Sequence, residues 1–151
     1  MAKTIFLADC GIHPDSGVDC SAALQAIFDG ICYDGMAQQL TVRSTTGDIG
    51  ILAGHINCVA PLGMGRATVV IDGQKRYAAC IGGMLSVVGG KVTLVPTTFE
   101  WADEIDAARV EASYQRAQKI LGSKDATNTD VKLAEARLRR ALVRRSVASN
   151  K

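Results

Sequence analysis

The sequence has few aromatic side chains and only a weak net charge. Aromatic residues make up 5% of the 151 residues, whereas apolar residues make up 48%. Because large rings are scarce, we expect a core of Val, Ile, Leu, Ala and Gly. A formal net charge of +2 is too small to indicate a partner. The weak charge and the scarcity of aromatics both count against nucleic-acid binding.

Long apolar runs and metal-binding patterns are lacking as well. No apolar run approaches the roughly 18 residues that a membrane-spanning helix needs, and no secretory signal is visible at the start. We expect a soluble or peripherally attached chain. No pair of the five cysteines has C-x-x-C spacing, so neither a disulfide framework nor a zinc site is indicated, and a reducing compartment fits best. The cysteines are Cys10, Cys20, Cys32, Cys58 and Cys80.

Short strand-like runs fill the region from residue 31 to residue 96. Alternating or β-branched runs occur at 39–43, 67–71, 84–88 and 91–95. Turn sequences that contain glycine separate them, at 34–35, 46–48, 72–75, 82–83 and 89–90. Several short strands with glycine at the corners predict an antiparallel β-sandwich or flattened barrel.

From about Thr97 the apolar period becomes helical. Two stripes follow one helix face each: Ala107, Val110, Tyr114, Ala117 and Leu121, then Val131, Ala134, Leu138 and Ala141. Thr97 and Glu100 form a capping-box pattern, which predicts the first helix start there. Gly122 should end that helix, and Asn128 or Thr129 should cap the second. The prediction is an antiparallel two-helix hairpin, and its thin alanine-rich stripes bury so little area that it should detach easily.

The predicted fold class is therefore α+β, with three parts. Residues 1–20 form an atypical N-terminal extension, 21–96 the β-sandwich domain and 97–151 the helical-hairpin domain. In the extension, Thr4–Leu7 can form a strand. Residues 22–28 allow a helix capped by Ser21, and residues 23–28 alternatively allow an edge strand. Charge follows this division: the net charge is −2 over 1–100 and +4 over 101–151.

Four motifs in sequence order carry a family resemblance. Residues 33–35 are Tyr-Asp-Gly, 44–55 are Ser-Thr-Thr-Gly-Asp-Ile-Gly-Ile-Leu-Ala-Gly-His, 82–88 are Gly-Gly-Met-Leu-Ser-Val-Val, and 105–109 are Ile-Asp-Ala-Ala-Arg. From about Gly30 to Val147 the chain resembles the epsilon subunit of bacterial F-type ATP synthase, which is the delta subunit in mitochondria. It differs from the family pattern at Ala53, usually proline, and at Ile56-Asn57, usually Ala-Pro.

The resemblance implies a non-catalytic rotor subunit of the central stalk. The sandwich would contact the gamma subunit and the c-ring and couple ion translocation to ATP synthesis, and the hairpin would inhibit ATP hydrolysis by reaching the catalytic beta and the alpha subunits. The implied location is peripheral, on the cytoplasmic face of the bacterial inner membrane. The implied partner-contact residues are Asp48 and His55. The residues themselves offer no nucleophile–base pair and no phosphate-binding glycine loop, so we do not expect an enzyme.

Arginines are concentrated near the end of the second helix, at Arg137, Arg139, Arg140, Arg144 and Arg145. Their forked guanidinium groups suit either an acidic protein segment or a nucleotide. The resemblance implies a regulatory ATP, not a required cofactor, bound by Ile105, Asp106, Arg109, Arg116, Arg140 and Arg144. Val110 stands where the family pattern has alanine. The alternative function is a freestanding ATP-sensing module that uses the same hairpin.

Overall fold

The structure, a computed structural model, describes residues 4–7, 31–123 and 125–150. The alternatives for residues 22–28 fall outside the described residues, as do Cys10 and Cys20. Among the described residues, Cys58 and Cys80 are free thiols.

Eight strands precede two helices in the described chain. The strands are β1 (Thr4–Leu7), β2 (Ile31–Gly35), β3 (Gln39–Arg43), β4 (Asp48–Leu52), β5 (Cys58–Pro61), β6 (Met64–Ile71), β7 (Gln74–Val88) and β8 (Lys91–Trp101). The helices are α1 (Ala107–Leu121) and α2 (Asn128–Ala148). The sheet order is β2-β1-β8-β7-β6-β3-β4, and β5 pairs with β7. The predicted sandwich followed by a helical hairpin is confirmed.

Alternation along the strands builds the sandwich core. Leu40 and Val42 of β3 are buried, and so are Val92 and Leu94 of β8, while the residues between them are partly exposed. This is the burial pattern of strands with one face on a core. Phe99 and Trp101, also in this core, meet edge to face with ring centroids 5.0 Å apart. Apart from Cys80, the other buried residues of this core are Leu, Val, Ile and Ala, as the composition predicts.

A pair of glycines bends β7 in its middle. Gly82 and Gly83 have φ values of 62° and 101°, which residues with side chains rarely adopt. A Cβ on Gly83 would collide with the Val95 carbonyl oxygen on β8. Along the edge of β7 that faces away from β8, β6 pairs with the first half of β7 and β5 pairs with the second half. The predicted turn at residues 82–83 was therefore wrong: the glycines lie inside a strand and let the sheet fold over.

Helix α1 begins later than predicted, and helix α2 begins slightly earlier than predicted. Thr97 and Glu100 lie within β8, so the capping-box prediction there was wrong. The N-cap of α1 is Asp106, whose carboxylate accepts hydrogen bonds from two backbone N–H groups. The N-cap of α2 is Thr127, one residue before the earlier predicted candidate, and it forms a capping box with Asp130. Gly122 ends α1 as predicted.

Small side chains place the hairpin against the sheet. A second apolar cluster joins Ala79 of β7 to Ala141 and Val147 of α2, with Ile105 and Val110 at the start of α1. The alanines leave little side-chain volume between backbone elements, so the elements approach closely while burying few methyl groups. Easy detachment of the hairpin remains a prediction.

Candidate functional site

A polar cleft lies where the end of β8, the first half of α1 and the second half of α2 meet. Its volume is about 220 Å³. Its lining residues are Glu100, Asp106, Arg109, Val110, Ser113, Arg116, Ala141 and Arg144. Small-molecule sites are usually about 300–1,000 Å³, so this cleft is narrow for a nucleotide.

The α1 wall of the cleft follows from helical spacing. Arg109, Ser113 and Arg116 are separated by four and three residues, which places them on one face. Asp106 starts the helix: its Oδ1 accepts from the N–H groups of Ala108 at 2.9 Å and Arg109 at 3.1 Å. Its carboxylate is thus already committed to the helix cap, and the guanidinium of Arg109 forms no ion pair with a described residue.

The opposite wall contains an ion pair between the sheet and the hairpin. Arg144 Nε donates to Glu100 Oε2 at 2.7 Å. The two side chains are 25% and 24% exposed, which makes this the least exposed ion pair among the described residues. Ala141, three residues earlier on α2, is buried beside it. Such a charge-assisted bond in a partly desolvated position is stronger than a surface pair.

Four of the six residues that the resemblance implied for ATP line this cleft: Asp106, Arg109, Arg116 and Arg144. Ile105 is buried in the apolar cluster beneath the hairpin. Arg140 is exposed on α2 and does not line the cleft. Whether any of the six binds ATP stays a prediction.

Sequence reasoning missed two polar lining residues, Glu100 and Ser113. Ser113 could have been found, since it lies between Arg109 and Arg116 on the same helix face. Glu100 could not, because the capping pattern assigned it to a helix, whereas it extends from a strand towards Arg144.

Asp48 and His55, the implied partner-contact residues, lie at opposite ends of β4. Asp48 begins the strand and pairs with Arg43 at 2.9 Å, both side chains being about half exposed. His55 follows the strand end, and its Nδ1 donates to the carbonyl of Ile56 at 2.8 Å. Four residue steps along β4 separate its ends by about 13 Å. The structure thus does not bring the two into one site.

Asp48 also borders a second groove, of about 480 Å³, between the sheet and α2. The sheet side is lined by Thr41, Arg43, Asp48, Gly65, Arg66 and Thr68, and the helix side by Leu142, Val143 and Ser146. Asp48 therefore lies on the hairpin side of the sandwich.

An exposed apolar strip lies on the His55 side of the sandwich. We define the strip as Ile56, Val59, Pro61, Met84 and Val88. Pro61 pairs with Met84 between β5 and β7, and Val59 lies diagonally between Met84 and Val88, so the strand residues share one face. Ile56 is 77% exposed and Val59 62%. Contiguous exposed apolar side chains are typical of a protein-binding surface, and sequence reasoning did not single this one out.

Among residues 4–7, 31–123 and 125–150, no cluster of three metal-ligating side chains occurs. Within the same ranges, neither helix is both long enough and apolar enough to cross a membrane.

Family comparison agrees with this two-part architecture. Residues 27–102 match the family described as "ATP synthase, Delta/Epsilon chain, beta-sandwich domain". Residues 103–149 match "ATP synthase, Delta/Epsilon chain, long alpha-helix domain". Together the two matches span both the sandwich and the hairpin. The chain belongs to the delta/epsilon-chain family of ATP synthase subunits.

Similar proteins carry the more particular name of ATP synthase epsilon chain. The protein of that name from Bacillus velezensis is 42% identical over 122 residues, which is 81% of this chain and 92% of the relative. That from Ruminococcus albus is 40% identical over 80% of this chain and 90% of the relative. A chain of the Euglena gracilis mitochondrial ATP synthase structure (OSCP/F1/c-ring) has the same fold, with a TM-score of 0.65 at 24% identity, over 76% of this chain and 71% of that one.

Proposed function

We propose that this chain is a non-catalytic central-stalk subunit of a bacterial F-type ATP synthase, which couples ion translocation to ATP synthesis. The observation that carries the proposal is the pairing of a β-sandwich that bears an exposed apolar strip with a lightly packed, arginine-rich hairpin. Family membership and the name of the similar proteins support it. The subunit would lie on the cytoplasmic face of the cell membrane and be attached only through the complex.

A non-catalytic role agrees with how the acidic groups of the cleft are used. Asp106 accepts two backbone hydrogen bonds at the start of α1. Glu100 accepts from Arg144. Both carboxylates thus have a structural use: one caps α1 and the other holds α2 to β8.

We assign the apolar strip to the contact with the gamma subunit, and the Asp48 end of β4 to the contact with the c-ring. Co-purification with gamma tests the first contact. Val59→Glu places a charge in the centre of the strip and should abolish co-purification. Leu133→Glu is the matched control, because Leu133 is about as exposed, at 51%, but lies on α2. Equal retention of gamma by both variants would remove the strip from this role.

The hairpin would inhibit ATP hydrolysis by placing its exposed arginines against an acidic segment of the catalytic beta subunit. Arg137, Arg139 and Arg140 are exposed and form no ion pair with a described residue. Reconstituted F1 should hydrolyse ATP faster with a chain truncated after Asp103, which keeps β8 intact. Neutralising the three arginines to Gln should have the same effect, whereas neutralising three other exposed cations, Lys75, Lys119 and Lys132, should not. Unchanged hydrolysis after truncation would rule out inhibition by the hairpin.

A second proposal, favoured by the cleft, is that the hairpin binds a regulatory ATP. Arg109, Arg116 and Arg144 offer guanidinium groups to a triphosphate. Two features of the cleft oppose tight binding of ATP. Its volume is only about 220 Å³, and the Val110 side chain narrows it. The carboxylate of Glu100 is negatively charged, as the triphosphate is. Titration of the full chain with ATP should give measurable heat that Arg109→Gln reduces. Arg139→Gln, outside the cleft, is the control. ATP binding without co-purification of gamma would favour the freestanding ATP-sensing module instead.

A further inference from the structure

A short linker joins the sandwich to the hairpin. We define it as residues 102–105, between the end of β8 at Trp101 and the N-cap of α1 at Asp106. The two apolar clusters meet at its start, since Trp101 is buried in the sandwich core and Ala102 in the cluster beneath the hairpin. Where the chain bends when the hairpin detaches therefore depends on which contacts hold this linker.

Three hydrogen bonds hold the linker, and each of them lies within the sandwich and the linker. The Ala102 N–H donates to the Tyr77 carbonyl oxygen of β7 at 2.9 Å. The Glu104 N–H donates to the Trp101 carbonyl oxygen at 3.0 Å. In return, Glu104 Oε2 accepts from the Trp101 N–H at 3.1 Å. The first bond attaches the linker to the sheet, and the other two close a turn from Trp101 to Glu104.

The side chain of Arg76 covers the start of the linker. Its guanidinium lies 4.2 Å from the centroid of the Trp101 ring, and Trp101 is only 4% exposed. Arg76 lies two residues before Ala78, the cross-strand partner of Trp101, and such diagonal neighbours share one face of a sheet. Arg76 Nη2 is also 4.0 Å from Asp103 Oδ1, but the Asp103 side chain is 75% exposed, so this ion pair contributes little. Stacking on a buried indole is the stronger of the two contacts.

We propose that these contacts keep the linker on the sheet when the hairpin detaches, so that the chain bends between Glu104 and Asp106. The inference rests on the proposed detachment of the hairpin and goes beyond it, because it fixes the pivot. Detachment breaks the apolar contacts between Ile105 and the hairpin. It leaves intact the stacking of Arg76 and the three hydrogen bonds, which join the linker to the sandwich or to itself. Arg76 is then a positioning residue for the hairpin that acts through Trp101.

A fixed pivot keeps the detached hairpin close to its docking surface. If the linker also left the sheet, its residues would add up to about 13 Å of extended chain between the sandwich and α1. A longer tether lowers the effective concentration of the hairpin at the sheet and widens the range of directions that it can take. The linker contacts therefore favour redocking and restrict where the first turn of α1 can lie.

Hydrogen exchange of single amides tests the pivot in the full-length chain with its hairpin released. Val147→Asp produces that state, because Val147 is fully buried in the cluster beneath the hairpin. A charge buried there without a partner destabilises the docked state by more than the small cluster stabilises it. Small-angle scattering should show a larger radius of gyration than in the wild type. NMR should find the Ala102 and Glu104 amides still protected by more than about ten-fold, because their hydrogen bonds remain formed.

Arg76→Gln, added to Val147→Asp, should then weaken the linker contacts. The two linker amides should exchange at least about five-fold faster, the effect expected when a desolvated stacking contact is lost. Lys75→Gln is the matched control in the same background, since Lys75 adjoins Arg76 on β7 and is exposed, but points to the other face of the strand. It should change the exchange rates by less than about two-fold. Amides of β3 and β6 should keep their rates in both variants, as an intact sandwich requires.

Glu104→Ala is a second test, made at an exposed position. It removes the carboxylate oxygen that accepts from the Trp101 N–H. In the Val147→Asp background, the protection factor of the amide at position 104 should fall by about five-fold, because the turn is then closed by one hydrogen bond instead of two.

Three results would overturn the fixed pivot. Loss of protection at Ala102 and Glu104 in Val147→Asp alone would mean that the linker leaves the sheet together with the hairpin. Equal exchange in the Arg76→Gln and Lys75→Gln variants, or faster exchange in β3 and β6 as well, would remove Arg76 from the positioning role. An unchanged radius of gyration in Val147→Asp would remove detachment itself, and the inference with it. These measurements use the isolated chain, so co-purification with gamma and the F1 assay judge the proposed function separately.

Discussion

Two fully buried valines lie in the two apolar clusters of the molecule. Val69 belongs to the sandwich core and Val147 to the cluster between the hairpin and the sheet, and each is 0% exposed. Replacing either by alanine removes two methyl groups, which should cost about 2 kcal/mol in lost transfer free energy and cavity formation. The same substitution is thereby made once in each of the two apolar clusters.

The two substitutions should nevertheless have different outcomes. A loss of about 2 kcal/mol changes an equilibrium constant about thirty-fold. For Val147→Ala, that factor applies to docking of the hairpin onto the sheet. Docking depends on a few small apolar side chains and on one partly buried ion pair, Arg144 with Glu100. We expect this variant to release the hairpin while the sandwich remains folded. Val69→Ala should instead destabilise the sandwich itself.

Urea unfolding followed with two probes distinguishes these outcomes. Trp101, the single tryptophan of the chain, packs against Phe99 in the sandwich core, so its fluorescence reports on the sandwich. Far-UV circular dichroism is dominated by the two helices. Val147→Ala should move the helical transition to lower urea and leave the fluorescence midpoint in place, and Val69→Ala should lower the fluorescence midpoint. Coincident transitions that shift equally in both variants would show one cooperative unit and refute the reasoning.

Three further predictions concern the bend, a thiol and a helix cap. Gly83→Ala should destabilise the sandwich by about 2–4 kcal/mol, because it combines a strained positive φ with a backbone collision; urea midpoints measure it. Burial raises the pKa of Cys80 to about 12, so mass spectrometry after alkylation at pH 8 should find it unmodified in the folded chain and Cys58 labelled. The hydrogen bonds from Thr127 lower the pKa of Asp130. The ionised cap therefore stabilises α2 at neutral pH, and this stabilisation is lost as the pH falls through the lowered pKa. Asp130→Asn should remove this pH dependence of helicity, as measured by circular dichroism.

Local sequence pattern was sufficient for β3, for parts of β6, β7 and β8, and for most of the apolar face of each helix, although Ala107 is exposed. Residues 39–43 alternate because one face of β3 is buried, and that information lies within five residues. The pattern at Thr97 and Glu100 failed for the opposite reason. A capping box is a local signal, but β8 continues through it because Thr98 and Phe99 pair with Ile81 and Cys80 of β7, outside the range of that signal.

The site shows the same limit. Helical spacing could assemble Arg109 and Arg116 on one face, and Arg144 on the second helix. The distance between those faces, and the position of Glu100 between strand and helix, depend on how the hairpin docks. Closeness in a motif can also mislead. Asp48 and His55 belong to one short motif, yet they lie at opposite ends of β4, because a strand extends by about 3.3 Å per residue.

The bent strand β7 also determines how the subunit would carry a mechanical load. Its two halves are continuous backbone, so a pull on one layer of the sandwich reaches the other along covalent bonds. The ladder between β7 and β8 runs from Ala78–Trp101 to Val88–Lys91. A force along the strands loads these hydrogen bonds side by side in shear, whereas a force across them would open the ladder one bond at a time. We expect a body built in this way to be stiff along one axis. We expect the hairpin, which meets the sheet through a small apolar cluster, to yield first.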